Sequence, residues 1–254
     1  MPKAAKRATN RRQTPGRLSE LKKGAGAFAA FRPAREVLKI VTAVPTCFAQ
    51  FDHATRVNGL PIERFTLLHG PSNEGKTLFA IGLIGSFLES GHMAMLVDAE
   101  RTTPITWVEE MIGEKNAKSD RFVAMRPQTY EDTVAAVRNF CKALKAERDA
   151  GRVHKDTSAL IVVDSIRKLV PKGLFDKLAS EVKAKDLNGL DGMGGRGAMI
   201  KASLNSQWLD ELIPLLEETR TAMVVIARET DDGEATKWEK LAGTDYKVGG
   251  GKAL

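Results

Sequence analysis

The sequence predicts an α/β fold with a mostly parallel sheet flanked by helices. Three observations carry this. Short, near-continuous apolar runs recur: Met93–Asp98 (MAMLVD), Ala159–Asp164 (ALIVVD) and Ala222–Ala227 (AMVVIA). Strands buried on both faces read this way, because helices cover each side of a parallel sheet. Segments with apolar residues at helical spacing separate them, most clearly Lys76–Glu89. Finally, a glycine-rich turn joins a strand to a helix at Gly70–Thr77.

Element by element, Arg64–His69 (RFTLLH) reads as the first core strand and Lys76–Glu89 as the helix after it. Met93–Asp98 is the next strand, followed by a short helix over Pro104–Ile112. Phe122–Met125 is a strand and Glu131–Arg148 a helix. Ala159–Asp164 follows, then a long helix over Ile200–Glu218 and the strand Ala222–Ala227. The alternation of strand and helix is the signature of a two-sided α/β sheet. No internal repeat is present.

The chain of 254 residues suits one such domain with an appendage. Its net charge of +7 is uneven. Residues 1–39 hold eleven Lys/Arg and two Glu, a balance of +9, so the rest of the chain sums to −2. Residues 1–36 therefore form a basic N-terminal segment, distinct from a core over 37–254. The first 27 residues are poor in large apolar side chains and cannot offset their ordering entropy, which predicts disorder. Such a tail attracts phosphates or simply keeps the chain solvated. A transit peptide fits less well, since the apolar face of an amphipathic helix is missing. Within the segment, Phe28 and Phe31 lie in the patch GAFAAF, suited to docking on a neighbouring subunit or on the chain's own core.

Other classes are disfavoured. No run of about 18 apolar residues exists to span a membrane. Cys47 and Cys141 lack metal-ligand spacing and read as free thiols of a reducing cytoplasm. His53, His69, His92 and His154 form no metal or catalytic pattern.

The turn Gly70-Pro71-Ser72-Asn73-Glu74-Gly75-Lys76-Thr77 matches G-x-x-x-x-G-K-[ST] between a strand and a helix, the context this phosphate loop requires. Its glycines let the backbone curl around phosphate, and the helix N-terminus adds a positive partial charge. Lys76 reaches the β- and γ-phosphates in this reading, and the Thr77 hydroxyl ligates Mg²⁺. Asp164 ends the strand ALIVVD, 88 positions after Lys76, at the sheet edge where ligands of such folds bind. It suits an acid that holds the metal directly or through water, with Ser165 beside it. Asp98 and Glu100 end MAMLVDAE. A carboxylate there polarises the water attacking the γ-phosphate, and Glu100 is preferred because Asp98 is closer to the strand body.

Together these residues resemble the bacterial RecA recombinase family, a RecA-like P-loop ATPase core, from about Val41 to Leu254. Gly59-Leu60-Pro61 is similar to the turn before the family's first core strand. GPSNEGKT is similar to its phosphate loop, and Leu96–Glu100 (LVDAE) to the segment ending in its catalytic glutamate. LIVVDSIRKLVPK at Leu160–Lys172 is the closest match. The resemblance implies ATP and Mg²⁺ as ligands. It makes Glu100 and Lys76 catalytic, and Thr77 and Asp164 metal-binding. Trp107 falls near the adenine, as a stacking group or a core residue.

The resemblance further implies assembly on single-stranded DNA as a filament or ring, in the cytoplasm of a bacterial or phage-infected cell. Two DNA loops are expected. The first is Lys185–Gly197, where Lys185 and Arg196 would meet phosphates. The second is Glu229–Val248, with Trp238 and Tyr246 to stack bases and Lys237, Lys240 and Lys247 for phosphates. Mobile surface loops without such affinity are the alternative. The implied activity is a DNA-dependent ATPase that promotes homologous pairing and strand exchange in recombination and repair. A hexameric helicase motor and a regulatory RecA-like ATPase are the other readings.

Three departures stand out. Ala227-Arg228-Glu229 replaces the family's Asn-Gln, so either Arg228 contacts phosphate or Glu229 relays to DNA. Glu229, Asp231, Asp232 and Glu234 crowd the second loop with acids. The sequence closes at GGGKAL, before the family's last strands and the lysines that reach a neighbour's ATP, so hydrolysis is expected to be slow.

Overall fold

The computed structural model describes residues 41–173, 207–208, 210–231 and 246–248, with backbone alone at 167, 229–231 and 246–248. The basic segment and its boundary at 36/37, GAFAAF, the first DNA loop, most of the second and the start of the helix expected from Ile200 lie outside the described residues.

The chain enters through a two-stranded antiparallel pair, β1 (Ala43–Val44) and β2 (Leu60–Pro61), bridged by helix α1 (Ala49–Thr55). The core follows in order: β3 (Phe65–Gly70), α2 (Lys76–Glu89), β4 (Met93–Asp98), α3 (Ile105–Ile112), α4 (Glu114–Ala117) and β5 (Phe122–Met125). Then come α5 (Tyr130–Asp149), β6 (Ala159–Asp164), a 3-10 turn (Ile166–Lys168), a helix α6 described over 207–208 and 210–219, β7 (Thr221–Asp231) and β8 (Tyr246–Val248).

The sheet order is β3-β7-β6-β4-β5, parallel throughout, with β8 antiparallel to the far end of β7. Period-2 alternation sends successive side chains to opposite faces. Ala94, Leu96, Leu160, Val162, Ala222, Val224 and Ile226 face one cluster, with α2 and α3. Met95, Val97, Ile161, Val163, Met223 and Val225 face the other, with α5 and α6. Both faces are covered, which is why these strands carry apolar residues at every position.

Helix α2 is buried on all sides from Ala80 to Leu88. Its outer face meets Phe48 and Phe51, whose rings lie 4.4 and 5.1 Å from Phe79. Gly82 permits this approach, since a Cβ there would lie 2.5 Å from the Phe48 ring. Helix α5 opens with a reciprocal cap between Thr129 and Asp132. It buries Tyr130, Thr133, Val137, Cys141 and Leu144, one amphipathic stripe.

The expected core elements are present with small shifts. Pro104 caps α3 rather than opening it, its backbone being extended at ψ 145°. Strand β7 runs to Asp231, four residues past its apolar run, because β8 pairs with that extension: Glu229 with Val248, Thr230 with Lys247, Asp231 with Tyr246. The two ends of the expected second DNA loop are thus a β ladder. The strands β1 and β2 within residues 41–62 have no signal in the sequence. Strands of two residues are too short to show a period.

Candidate nucleotide site

The site lies at the carboxyl ends of the parallel strands. Strand β3 ends at Gly70 and the loop 71–75 turns directly into α2. Asn73 (φ 66°) and Gly75 (φ 75°) both take the left-handed backbone that this tight turn needs. No side chain caps the N-terminus of α2. Its first N–H groups stay available to an anion, and the helix dipole favours one there. The Lys76 ammonium folds back over the loop, donating to the carbonyls of Gly70 (2.9 Å) and Pro71.

The acids come from the middle of the sheet. Asp164 closes β6 and Ser165 follows it; both are buried, and a cis peptide bond joins them. The Thr77 hydroxyl donates to Asp164 Oδ2 at 2.6 Å. The Ser165 hydroxyl donates to Glu100 Oε1 at 2.8 Å. The amides of Ala99 and Glu100 donate to the Asp164 carbonyl at 2.7 and 3.1 Å, which draws the end of β4 against β6. Burial pushes the Asp164 carboxyl above the usual range, and the Glu100 and Asp98 charges add to this. The Thr77 hydrogen bond and Lys76 oppose it.

A cavity of about 560 Å³ gathers these groups: Ser72, Asn73, Gly75, Lys76 and Thr77 from the loop, Glu100, Asp164 and Ser165 from the strand ends, and Trp107 and Arg228. Gly70 and Pro71 take part through their carbonyls. Glu74 is exposed and does not line the cavity. Trp107 packs against the core and also lines the cavity. Arg228, opposite Gly70 in the β3–β7 register, donates from Nε to the Ser72 hydroxyl. Among the described residues no cluster of three or more His, Cys, Asp or Glu is built to hold a metal. Thr77 and Asp164 are a sparse, hard-oxygen pair, the kind that suits Mg²⁺ shared with phosphate and water.

Residues 15–232 match the RecA N-terminal domain family. The chain belongs to this family. Among curated relatives, it is 25% identical to Protein RecA of Ureaplasma parvum serovar 3 over 216 residues, 84% of this chain and 54% of that one. It is 23% identical to Protein RecA of Bifidobacterium breve over 93% of this chain and 52% of that one, and 26% identical to that of Aquifex aeolicus over 93% and 59%. The chain spans about half the length of these relatives.

Of the expected DNA contacts in this RecA-family chain, Lys185, Arg196, Lys237, Trp238 and Lys240 lie outside the described residues. Tyr246 and Lys247 fall on β8. No described helix is long and apolar enough to cross a membrane. A basic residue near the site was not expected from the sequence. Arg126, just past β5, donates from Nε to Asp98 Oδ2 at 3.0 Å and from Nη2 to the Thr103 carbonyl at 3.0 Å. Its only signal in sequence is a basic residue at a strand end, which carries no partner with it.

Proposed function

We propose that this chain binds ATP with Mg²⁺ and hydrolyses it, as the motor of a recombinase that assembles on single-stranded DNA and promotes homologous pairing and strand exchange. The observation that carries the reading is the pair of adjacent hydrogen bonds Thr77–Asp164 and Ser165–Glu100, set beside an uncapped helix N-terminus.

The residues divide the work. The loop amides and Lys76 bind the phosphates, Lys76 exchanging its two carbonyl acceptors for phosphate oxygens. Thr77 and Asp164 would hold Mg²⁺, which neutralises charge on the phosphate oxygens when bound. Glu100 orients a water for attack on the γ-phosphorus and takes up its proton as the bond to the β-phosphate oxygen breaks. Ser165 fixes the Glu100 carboxylate. Trp107 supplies an aromatic face for the base, and Arg228 a second cation for the phosphates.

The DNA side of the reading is supported by the named relatives and by the path of β7. That strand carries Arg228 at the phosphate loop and, two residues on, Thr230 paired with Lys247. A charge added at Ser72 therefore lies one short strand segment from a candidate DNA contact. The Arg228–Ser72 bond also favours a second reading, a regulatory ATPase in which nucleotide controls assembly without strand exchange.

The test is ATP hydrolysis with and without single-stranded DNA, for wild type and Lys76→Ala, at two salt concentrations. A DNA stimulation that fades with salt and is lost in the variant supports the motor reading, and strand-pairing assays then separate recombinase from helicase. Nucleotide binding without any DNA response overturns it in favour of the regulatory one.

A further inference from the structure

The turn that carries Glu100 is held from two sides. On one side the Ala99 and Glu100 amides hang on the Asp164 carbonyl. On the other, Arg126 grips both ends of the turn at once: its Nε meets the Asp98 carboxylate at the start and its Nη2 the Thr103 carbonyl at the finish. Asp98 Oδ1 in turn accepts from the Thr102 amide at 3.3 Å. A second strut, Arg101 Nη2 to the Pro127 carbonyl at 3.2 Å, joins the same turn to the same strand end. Arg101 itself sits at φ 57°, a backbone region a non-glycine residue adopts only when its surroundings hold it there.

The chemistry explains why the grip is arginine. Asp98 is only 5% exposed at its side chain and lies in register with Asp164 across β4 and β6. Two carboxylates in adjacent strands repel unless one is neutralised. A guanidinium does this while keeping a further N–H for the carbonyl, which a lysine ammonium with one terminal nitrogen does less well across two separated acceptors.

We infer that Arg126 is a positioning residue for hydrolysis: by tying Asp98 to Thr103 it fixes the turn that presents Glu100 to Ser165 and to the attacking water. The inference rests on the role of Glu100 proposed above. Arg126 does not line the nucleotide cavity, so it acts through the turn, which brings Glu100 and Thr102 to the cavity wall.

The experiment is a double-mutant cycle of Arg126→Gln with Glu100→Gln, read with ATP, together with amide hydrogen exchange. Arg126→Gln is expected to lower kcat about tenfold or more with KM for ATP kept within about twofold, and to cost nothing further in the Glu100→Gln background. The amides of Ala99, Glu100 and Thr102 should exchange about tenfold faster while those of α2 do not change. Losses that multiply in the double variant, or turn amides that exchange as in wild type, overturn the inference. Should Arg126→Gln fail to fold, Arg126→Lys carries the same cycle, because it retains the charge against Asp98 while loosening the double grip. If the wild-type chain turns over no ATP, the proposed function falls, and the exchange comparison still decides whether Arg126 holds the turn.

Discussion

The Thr77 hydroxyl lies 2.6 Å from Asp164 Oδ2, although 87 residues separate them and an entire strand, β7, lies between β3 and β6 in the sheet. Helix α2 closes this gap, because it leaves β3 and packs over β7, β6 and β4 on one face. The first turn of α2 therefore stands over the end of β6. The two oxygens that would share a magnesium ion are brought together by the crossover.

If they do share it, both Thr77→Ala and Asp164→Asn should raise the Mg²⁺ concentration needed for binding of a fluorescent ATP analogue, each by about tenfold or more, since loss of one metal-orienting group typically costs that much. Mg²⁺ titrations of the two variants check this. An unchanged midpoint in both would remove these residues from the metal site.

Gly59 is required by a close approach. Its φ is 154°, and a Cβ there would lie 2.2 Å from the Val44 carbonyl oxygen, at the edge of the β1–β2 pair. Gly59→Ala should destabilise the fold by about 1–3 kcal/mol, the usual cost of overpacking and a disfavoured backbone. Urea midpoints measure it, and a wild-type midpoint would show that the pair yields without cost.

His92 gives the fold a pH dependence. Burial, and then the Arg220 and Arg121 charges, lower its pKa below the ordinary 6.5, and its Nδ1 accepts from the Ser158 amide at 3.2 Å. The unfolded chain thus binds the proton more readily than the folded one. Stability rises with pH up to the ordinary value and falls as pH drops below it towards the lowered folded pKa. Thermal melts between about pH 7 and pH 5 should show this loss, reduced in His92→Gln relative to wild type. An identical slope in both would assign the dependence to other groups.

Much of the site was legible because its signals are local. The phosphate loop is eight consecutive residues, and Asp164 and Glu100 announce themselves by ending apolar runs. The period of two sorts strand residues into two faces, but apolar residues at every position leave open which helices cover each face. Arg228 was legible only as a departure at a strand end, and its pairing with Ser72 was not. Arg126 left no usable trace, since nothing in AMRPQT points to Asp98.

The sequence by itself determined the α/β class, the glycine-rich turn between β3 and α2 and the acids at the ends of β4 and β6, because each depends on residues adjacent in the chain or on one strand's period. The tertiary structure alone decided the strand order β3-β7-β6-β4-β5, and with it the meetings of Thr77 with Asp164, Arg228 with Ser72 and Arg126 with Asp98. Which strands become neighbours is set by how helices cross and cover the sheet, a non-local balance of burial and chain connection that no single segment records.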